Sequence, residues 1–169
     1  GVSVSAHQGG KMIDANNSKD EGSFSPDRCG GLPASQLAKL CFSGIYTYEE
    51  LKERLFGSGG FYAYLGTKDL RQIEKMADDG HEQAALLLKA FSYQVAKEIG
   101  AMAAVLEGQV DRIVLTGGMA YSRRLVDAIT KRVRFIGPIA VIPGEEELEA
   151  LAAGALRVLR GEERPLIYQ

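Results

Sequence analysis

Between Arg112 and Leu159 one local pattern occurs twice. Arg112-Ile113-Val114-Leu115-Thr116 is a short, β-branched run that ends in Gly117-Gly118, and Ser122 then opens a helix through Leu125, Val126, Ile129 and Val133. Ile139-Ala140-Val141-Ile142 repeats the run, Pro143-Gly144 repeats the turn, and Glu145 to Leu159 repeats the helix, with Leu148, Leu151, Ala155 and Leu159 expected to face inward. Strands joined through a helix pair as parallel neighbours, and a parallel pair needs helices to cover it. The repeat therefore constrains the chain to the α/β class.

The rest of the sequence supplies the cover. From His81 to Leu106, Leu88, Phe91, Val95, Ile99, Met102 and Leu106 recur every three or four residues, which predicts a long helix deep in the core. Val2, Val4 and Ala6 alternate before the Gln8-Gly9-Gly10 turn, and Lys11 to Ala15 resumes the extended pattern, so a β-hairpin opens the chain. Asn16 to Pro33 is rich in Asn, Ser, Asp, Gly and Pro and reads as a long polar loop with little capacity to bury itself. Pro33 suits the first turn of a short helix that ends at Gly44, and Thr47 with Glu50 forms a capping box for another. After a second glycine-rich passage through Gly66, Thr67 is expected to cap a helix bearing Leu70, Ile73 and Met76. The tail from Arg160 is polar and reads as a surface strap.

With 169 residues, 46% of them hydrophobic, the chain has enough apolar surface to build one core without staples. Its formal charge of −2 provides no field to attract nucleic acid or an anionic membrane. Cys29 and Cys41 lack metal-ligand spacing and read as buried or inert thiols, and His7 and His81 as a strand-face and a helix-start residue. No apolar run reaches the length of a membrane span and the first residues lack the order of a secretion signal, so a soluble, cytoplasmic chain is expected. The extended pattern begins at Gly1 itself, as if cut from something longer.

Four places carry potential chemistry. In LTGGMAYS, Leu115 to Ser122, a strand runs into two glycines and a helix start, where a phosphate or nucleotide can lie against backbone N–H groups; the same pair also serves as a plain turn. It is neither a P-loop nor a G-x-G-x-x-G fingerprint, which disfavours a nicotinamide-dependent enzyme. Glu145-Glu146-Glu147 either favour a helix N-terminus or hold a magnesium ion beside phosphate. Arg28, in a glycine-flanked loop, presents a fork of donors to an anion or pairs with Asp20, Glu21 or Asp27. Asp69 and Arg71 address a ribose and a base, or simply pair and cap a helix.

At these stretches the sequence resembles a known family. SFSPDRCGGLP (23–33), YLGTKDLRQIEKM (64–76), AKEIGAMAAVL (96–106), LTGGMAYS (115–122) and PGEEELEALAAGALRVL (143–159) are together similar to the butyrate kinases, grouped with the acetate kinases in the actin-like sugar kinase and Hsp70 superfamily. The resemblance implies an actin-like, ribonuclease H-like ATPase lobe: a mixed sheet with an opening hairpin and flanking helices. It implies transfer of the ATP γ-phosphoryl group to butyrate, giving butyryl phosphate and ADP, with Mg2+ as the metal. Arg28 then matches the arginine used on the transferring phosphoryl group, and Asp69 and Arg71 the Asp-x-Arg at the adenosine end. Gly117 and Gly118, with Met119 beside them, match the glycines under the nucleotide. Glu146, with Glu147, matches the glutamate assigned to magnesium, and Gly1 and Ser3 the end of a His-Leu-Gly-Gly-Gly-x-Ser phosphate loop.

On that resemblance residues 1–169 are the C-terminal nucleotide lobe of a two-lobe kinase. The N-terminal half, with the start of the phosphate loop and the acyl pocket, is a partner outside this sequence, and the isolated chain is expected to be inactive. A short-chain carboxylate is the expected substrate, self-association is implied by relatives, and neither nucleic acid nor membrane is expected as a partner. A kinase for acetate, propionate or isobutyrate, or a non-catalytic actin-like ATP-binding module, remains open.

Overall fold

The computed structural model describes residues 1–144, 147–165 and 167, the side chain of Glu147 excepted. Strands β1 (Ser5–Gln8) and β2 (Lys11–Ala15) form the expected antiparallel hairpin, with Ala6 opposite Asp14 and a bulge between Ala6 and His7. Strands β3 (Ile113–Gly117) and β4 (Ile139–Pro143) pair in parallel, Ile113 opposite Ile139 and Gly117 opposite Pro143. Both kinds of pairing are therefore present, but among the described residues they form separate two-stranded sheets rather than one mixed sheet.

Helix α5 (Glu82–Val105) joins them. It packs against β1, β2 and the short helix α3 (Gly60–Leu65), and on other sides against α4 (Leu70–Asp78) and α6 (Arg123–Val133). Leu87, Leu88, Phe91, Val95 and Ile99 of α5 meet Ile73, Ile113, Leu125, Ile129 and Val133 in one buried cluster. The periodicity predicts this face correctly. The depth of the far end is overestimated, because Ala101, Ala104 and Val105 are exposed where α5 runs past its neighbours. His81 caps α5, its Nδ1 accepting from the Ala84 N–H at 3.2 Å, and Ser122 caps α6, accepting from the Leu125 N–H at 3.1 Å. No helix among the described residues is long and apolar enough to cross a membrane.

The loop from Asn16 to Pro33 departs most from expectation. Asn16, Ser23, Phe24, Ser25 and Gly30 are buried. Phe24 stands edge-on to Phe61 and Phe91, with ring centroids 5.0 and 5.6 Å away, and its N–H donates to Gln94 Oε1 at 3.0 Å. Such edge-to-face pairs stabilise beyond the area they bury. One aromatic ring thus seats a segment whose composition is polar. Gly60 lets α3 approach it, since a Cβ there would overlap the Ser25 carbonyl oxygen and its φ of +54° suits glycine.

Helices α1 (Ala34–Cys41) and α2 (Tyr48–Leu55) bury no residue. The Thr47–Glu50 capping box of α2 is present in both directions. Helix α4 is capped by Asp69 rather than Thr67, whose hydroxyl instead accepts from the Asp69 N–H at 3.2 Å. A second correction concerns α7 (Glu147–Leu159): Leu148, Leu151 and Leu159 are 82%, 64% and 81% exposed and Ala155 is exposed as well, so the stripe expected to face inward has no cover among the described residues. Periodicity marks an apolar face but does not supply its partner. Cys29 is half-buried, and burial raises its thiol pKa; Cys41 is exposed rather than buried.

Candidate functional site

Arg28 is fixed through its backbone before its side chain does anything. It bridges to Phe56, its N–H donates to Ser25 Oγ at 3.1 Å, and its carbonyl accepts from the Ser25 N–H at 3.0 Å. Ser25 also donates to Asp27 Oδ1 at 3.2 Å. Reading the sequence missed this role of Ser25, although a serine followed by Pro-Asp is a recognised turn former. The guanidinium is half-buried and donates from Nη1 to the Ser18 carbonyl at 3.3 Å. Among the described residues it has no carboxylate within ion-pair distance, so the expected alternative of pairing with Asp20, Glu21 or Asp27 is not realised. A cation held this way is available to an external anion.

The guanidinium lies beside Gly1. A Cβ built on Gly1 would stand 2.5 Å from Arg28 Nη1. Gly1 and Ser3 line a groove of about 710 Å³ whose other wall includes Gly117, Gly118 and Met119. Arg28 itself is not among the residues that line this groove and reaches it only through its contact with Gly1. At the turn, Gly117 has φ +81° and ψ 177°, a combination only glycine adopts readily, and a short 3-10 turn, Gly118–Tyr121, leads into α6. A Cβ on Gly118 would meet nothing within 4 Å. Space for a ligand therefore exists directly over the backbone there.

Asp69 and Arg71 are not among the lining residues of that groove. Arg71 donates to Asp69 from Nε at 3.0 Å and from Nη2 at 2.7 Å, and its backbone N–H completes the cap at 2.9 Å. These bonds from Arg71 hold the Asp69 carboxyl below its ordinary pKa and raise that of Arg71. The link from α4 to the glycine turn is Glu74, which accepts from the Ser122 hydroxyl and lies about 7.5 Å along the helix from Asp69. Glu146 lies outside the described residues, as does the side chain of Glu147. Among the described residues no three carboxylate, His or Cys side chains gather in a metal-binding group.

The profile described as the Acetokinase family matches residues 1–148. The chain belongs to that family. Within the acetokinases, "Probable butyrate kinase 2" of Caldanaerobacter subterraneus subsp. tengcongensis is 51% identical over 168 residues, covering 99% of this chain and 48% of the relative. The chain thus spans about half the length of that relative. Among solved structures, Porphyromonas gingivalis acetate kinase superposes with a TM-score of 0.82 at 23% identity, over 93% of this chain and 46% of its own. A propionate kinase from Francisella tularensis gives 0.75 at 22%, over 86% and 44%, and Entamoeba histolytica acetate kinase 0.79 at 20%, over 91% and 48%. At these identities the superpositions show a shared fold, and that fold is the actin-like α/β lobe expected from the sequence.

Proposed function

We propose that the chain is the nucleotide lobe of a two-lobe carboxylate kinase that reversibly transfers the ATP γ-phosphoryl group to butyrate. The observation that supports this reading is Arg28, a half-buried cation without a carboxylate partner among the described residues, which lies beside Gly1, itself a lining residue of the groove that also carries Gly117 and Gly118. The 51% identity to a relative named as a probable butyrate kinase favours butyrate over other acids.

In the reaction the bond from the γ-phosphorus to the bridging oxygen of ADP breaks as a bond to a carboxylate oxygen forms. Such transfers need alignment and positive charge more than covalent help. The acceptor is itself an anion, so Arg28 offsets repulsion between carboxylate and triphosphate while Gly117, Gly118 and Met119 give the nucleotide an unobstructed floor. Ser3 contributes a hydroxyl to the phosphates, and the Asp69–Arg71 pair, which lies outside this groove, meets adenosine where the nucleotide extends beyond it. Magnesium, when bound, neutralises phosphate charge, and Glu146 with Glu147 would hold it. The acyl pocket and the start of the phosphate loop belong to the half of the protein that this chain does not cover, so the isolated chain has negligible kinase activity.

The names of the structural neighbours, acetate and propionate kinases, favour a second reading with a different short-chain acid. A hydroxamate assay of the full-length protein with acetate, propionate, butyrate and isobutyrate separates the two. The highest kcat/KM is expected with butyrate. ATP binding without acyl phosphate from any of the acids would overturn both in favour of a non-catalytic ATP-binding module.

A further inference from the structure

The turn that follows β3 is held at both of its ends. Upstream, Gly117 is bonded through its backbone N–H and carbonyl to Gly144. Downstream, the Ser122 N–H closes the 3-10 turn by donating to the Met119 carbonyl at 3.1 Å, and the Ser122 hydroxyl accepts from the Leu125 N–H as the cap of α6. That hydroxyl has a single proton to donate, and it goes to the Glu74 carboxylate on α4. Between the two ends Ala120 is buried, whereas a Cβ on Gly118 would meet no atom within 4 Å. Where Gly118 stands against the groove is therefore decided by Gly117 on one side and by Ser122 on the other.

Glu74 is half-buried and its neighbour Ile73 fully so, which fixes the helix that delivers the carboxylate. Arg124 comes close enough for its Nη1 to donate to the Glu74 carbonyl at 3.4 Å, yet its ion pair is with Asp78. Among the described residues the Glu74 carboxylate has the Ser122 hydroxyl as its partner. A hydrogen bond to an ionised acceptor is roughly twice as strong as a neutral one, and the charge lies at the N-terminus of α6, where the helix dipole favours it. The same helix α4 begins at the Asp69 cap with Arg71, little more than one turn before Glu74. We propose that Glu74 is a positioning residue for the nucleotide: through Ser122 it locks the Gly118–Tyr121 turn at the spacing from the Asp69–Arg71 pair that one nucleotide spans. Glu74 touches no ligand itself, and this role rests on the nucleotide reading of the groove given above.

Calorimetric titration of the full-length protein with ATP, in the absence of any carboxylate substrate, tests it. Glu74→Ala is expected to raise the Kd for ATP about tenfold, whereas Glu74→Gln, whose amide oxygen still accepts from Ser122, should stay within about twofold of the parent. Ser122→Gly removes the hydroxyl but leaves a tolerated N-cap, and should raise the Kd as much as Glu74→Ala does, with no further rise in the double variant. Asp78→Ala breaks the adjacent ion pair to Arg124 and loosens α4 against α6 without touching Ser122, so its Kd should match the parent's. An unchanged Kd in Glu74→Ala, additive effects in the double variant, or an equal rise in Asp78→Ala overturns the proposal. Should Glu74→Ala not fold, Ser122→Gly decides: a raised Kd supports the link and an unchanged one overturns it. A full-length protein that binds ATP but forms no acyl phosphate removes the kinase reading and leaves this comparison intact, and one that binds no ATP overturns both.

Discussion

Gly117 and Gly144 exchange both of their backbone hydrogen bonds, at 3.1 and 3.2 Å, beyond the parallel ladder of β3 and β4. This closes the ends of two strands that run the same way and fixes the turn that follows β3. The backbone of Gly117 leaves the strand at φ +81°, so the position of Gly118 against the groove depends on it.

The two glycines are therefore expected to separate on substitution. Gly117→Ala forces an L-residue into a glycine-only region and should cost about 1–3 kcal/mol, read as a lower urea midpoint with unchanged m. Gly118→Ala meets open space and should stay within about 0.5 kcal/mol of the parent. In the full-length protein its methyl group should nonetheless weaken ATP roughly tenfold, the loss of about 1.4 kcal/mol of contact. Equal effects of the two on stability would detach Gly117 from its conformational role.

Arg28→Ala in the full-length protein should reduce kcat on the order of 10³-fold with little change in the KM for ATP, because the guanidinium acts on charge that develops during transfer. Arg28→Lys keeps the charge but loses the planar fork, and an intermediate rate is expected. A raised KM at unchanged kcat would move Arg28 from the transferring group to nucleotide binding.

Glu146→Gln and Glu147→Gln are expected to differ in a magnesium titration of the full-length protein. Glu146→Gln should need more magnesium for half-maximal acyl phosphate formation than Glu147→Gln does. Identical curves for both variants and the parent would leave the ion to phosphate and water alone.

Phe61→Ala should destabilise the chain by about 3–5 kcal/mol, since Phe61 is fully buried and its ring centroid lies 5.0 Å from Phe24 and 5.5 Å from Phe91. Phe42→Ala, at a position 92% exposed, should change stability by no more than about 0.5 kcal/mol. The first variant also removes the seat of the loop that carries Arg28, so amide exchange between Ser23 and Gly31 should accelerate with it.

The Asp69 cap gives a pH dependence of known sign. Its carboxyl is held below the ordinary value by Arg71, so the folded state binds the ionised form more strongly than the unfolded state does. The contribution is present above about pH 4, the unfolded value, and is lost as pH falls through the lower folded value. Asp69→Asn should flatten that acid limb of the melting temperature, and a limb identical to the parent's would show that the pair adds nothing to stability.

Legibility from sequence followed the range of the interactions. Thr47 with Glu50 and Ser122 with Leu125 are settled within a few residues, and the structure has both caps as read. The α5 face was legible because 24 residues average out local noise. Helix α3 was not, since Gly57, Gly59 and Gly60 look like a loop until Ser25 is placed against them. Phe24 is the lone aromatic in a polar stretch, and only its distant partners Phe61 and Phe91 make that stretch part of the core. For the site, residue types pointed to Arg28 and the glycine pair. Pairing and capping by Asp69 and Arg71 was one of two alternatives open in the sequence, and the coordinates show it, whereas the closeness of Gly1 to Arg28 required coordinates.

Helices α1 and α2 bury nothing, and the segment that carries them is pinned where the Leu55 carbonyl accepts from the Cys29 N–H at 3.2 Å. Their opening is therefore decoupled from global unfolding, and a protease should nick residues 34–55 first while the remainder stays a cooperative unit. Insertions and fusion tags are best accommodated there.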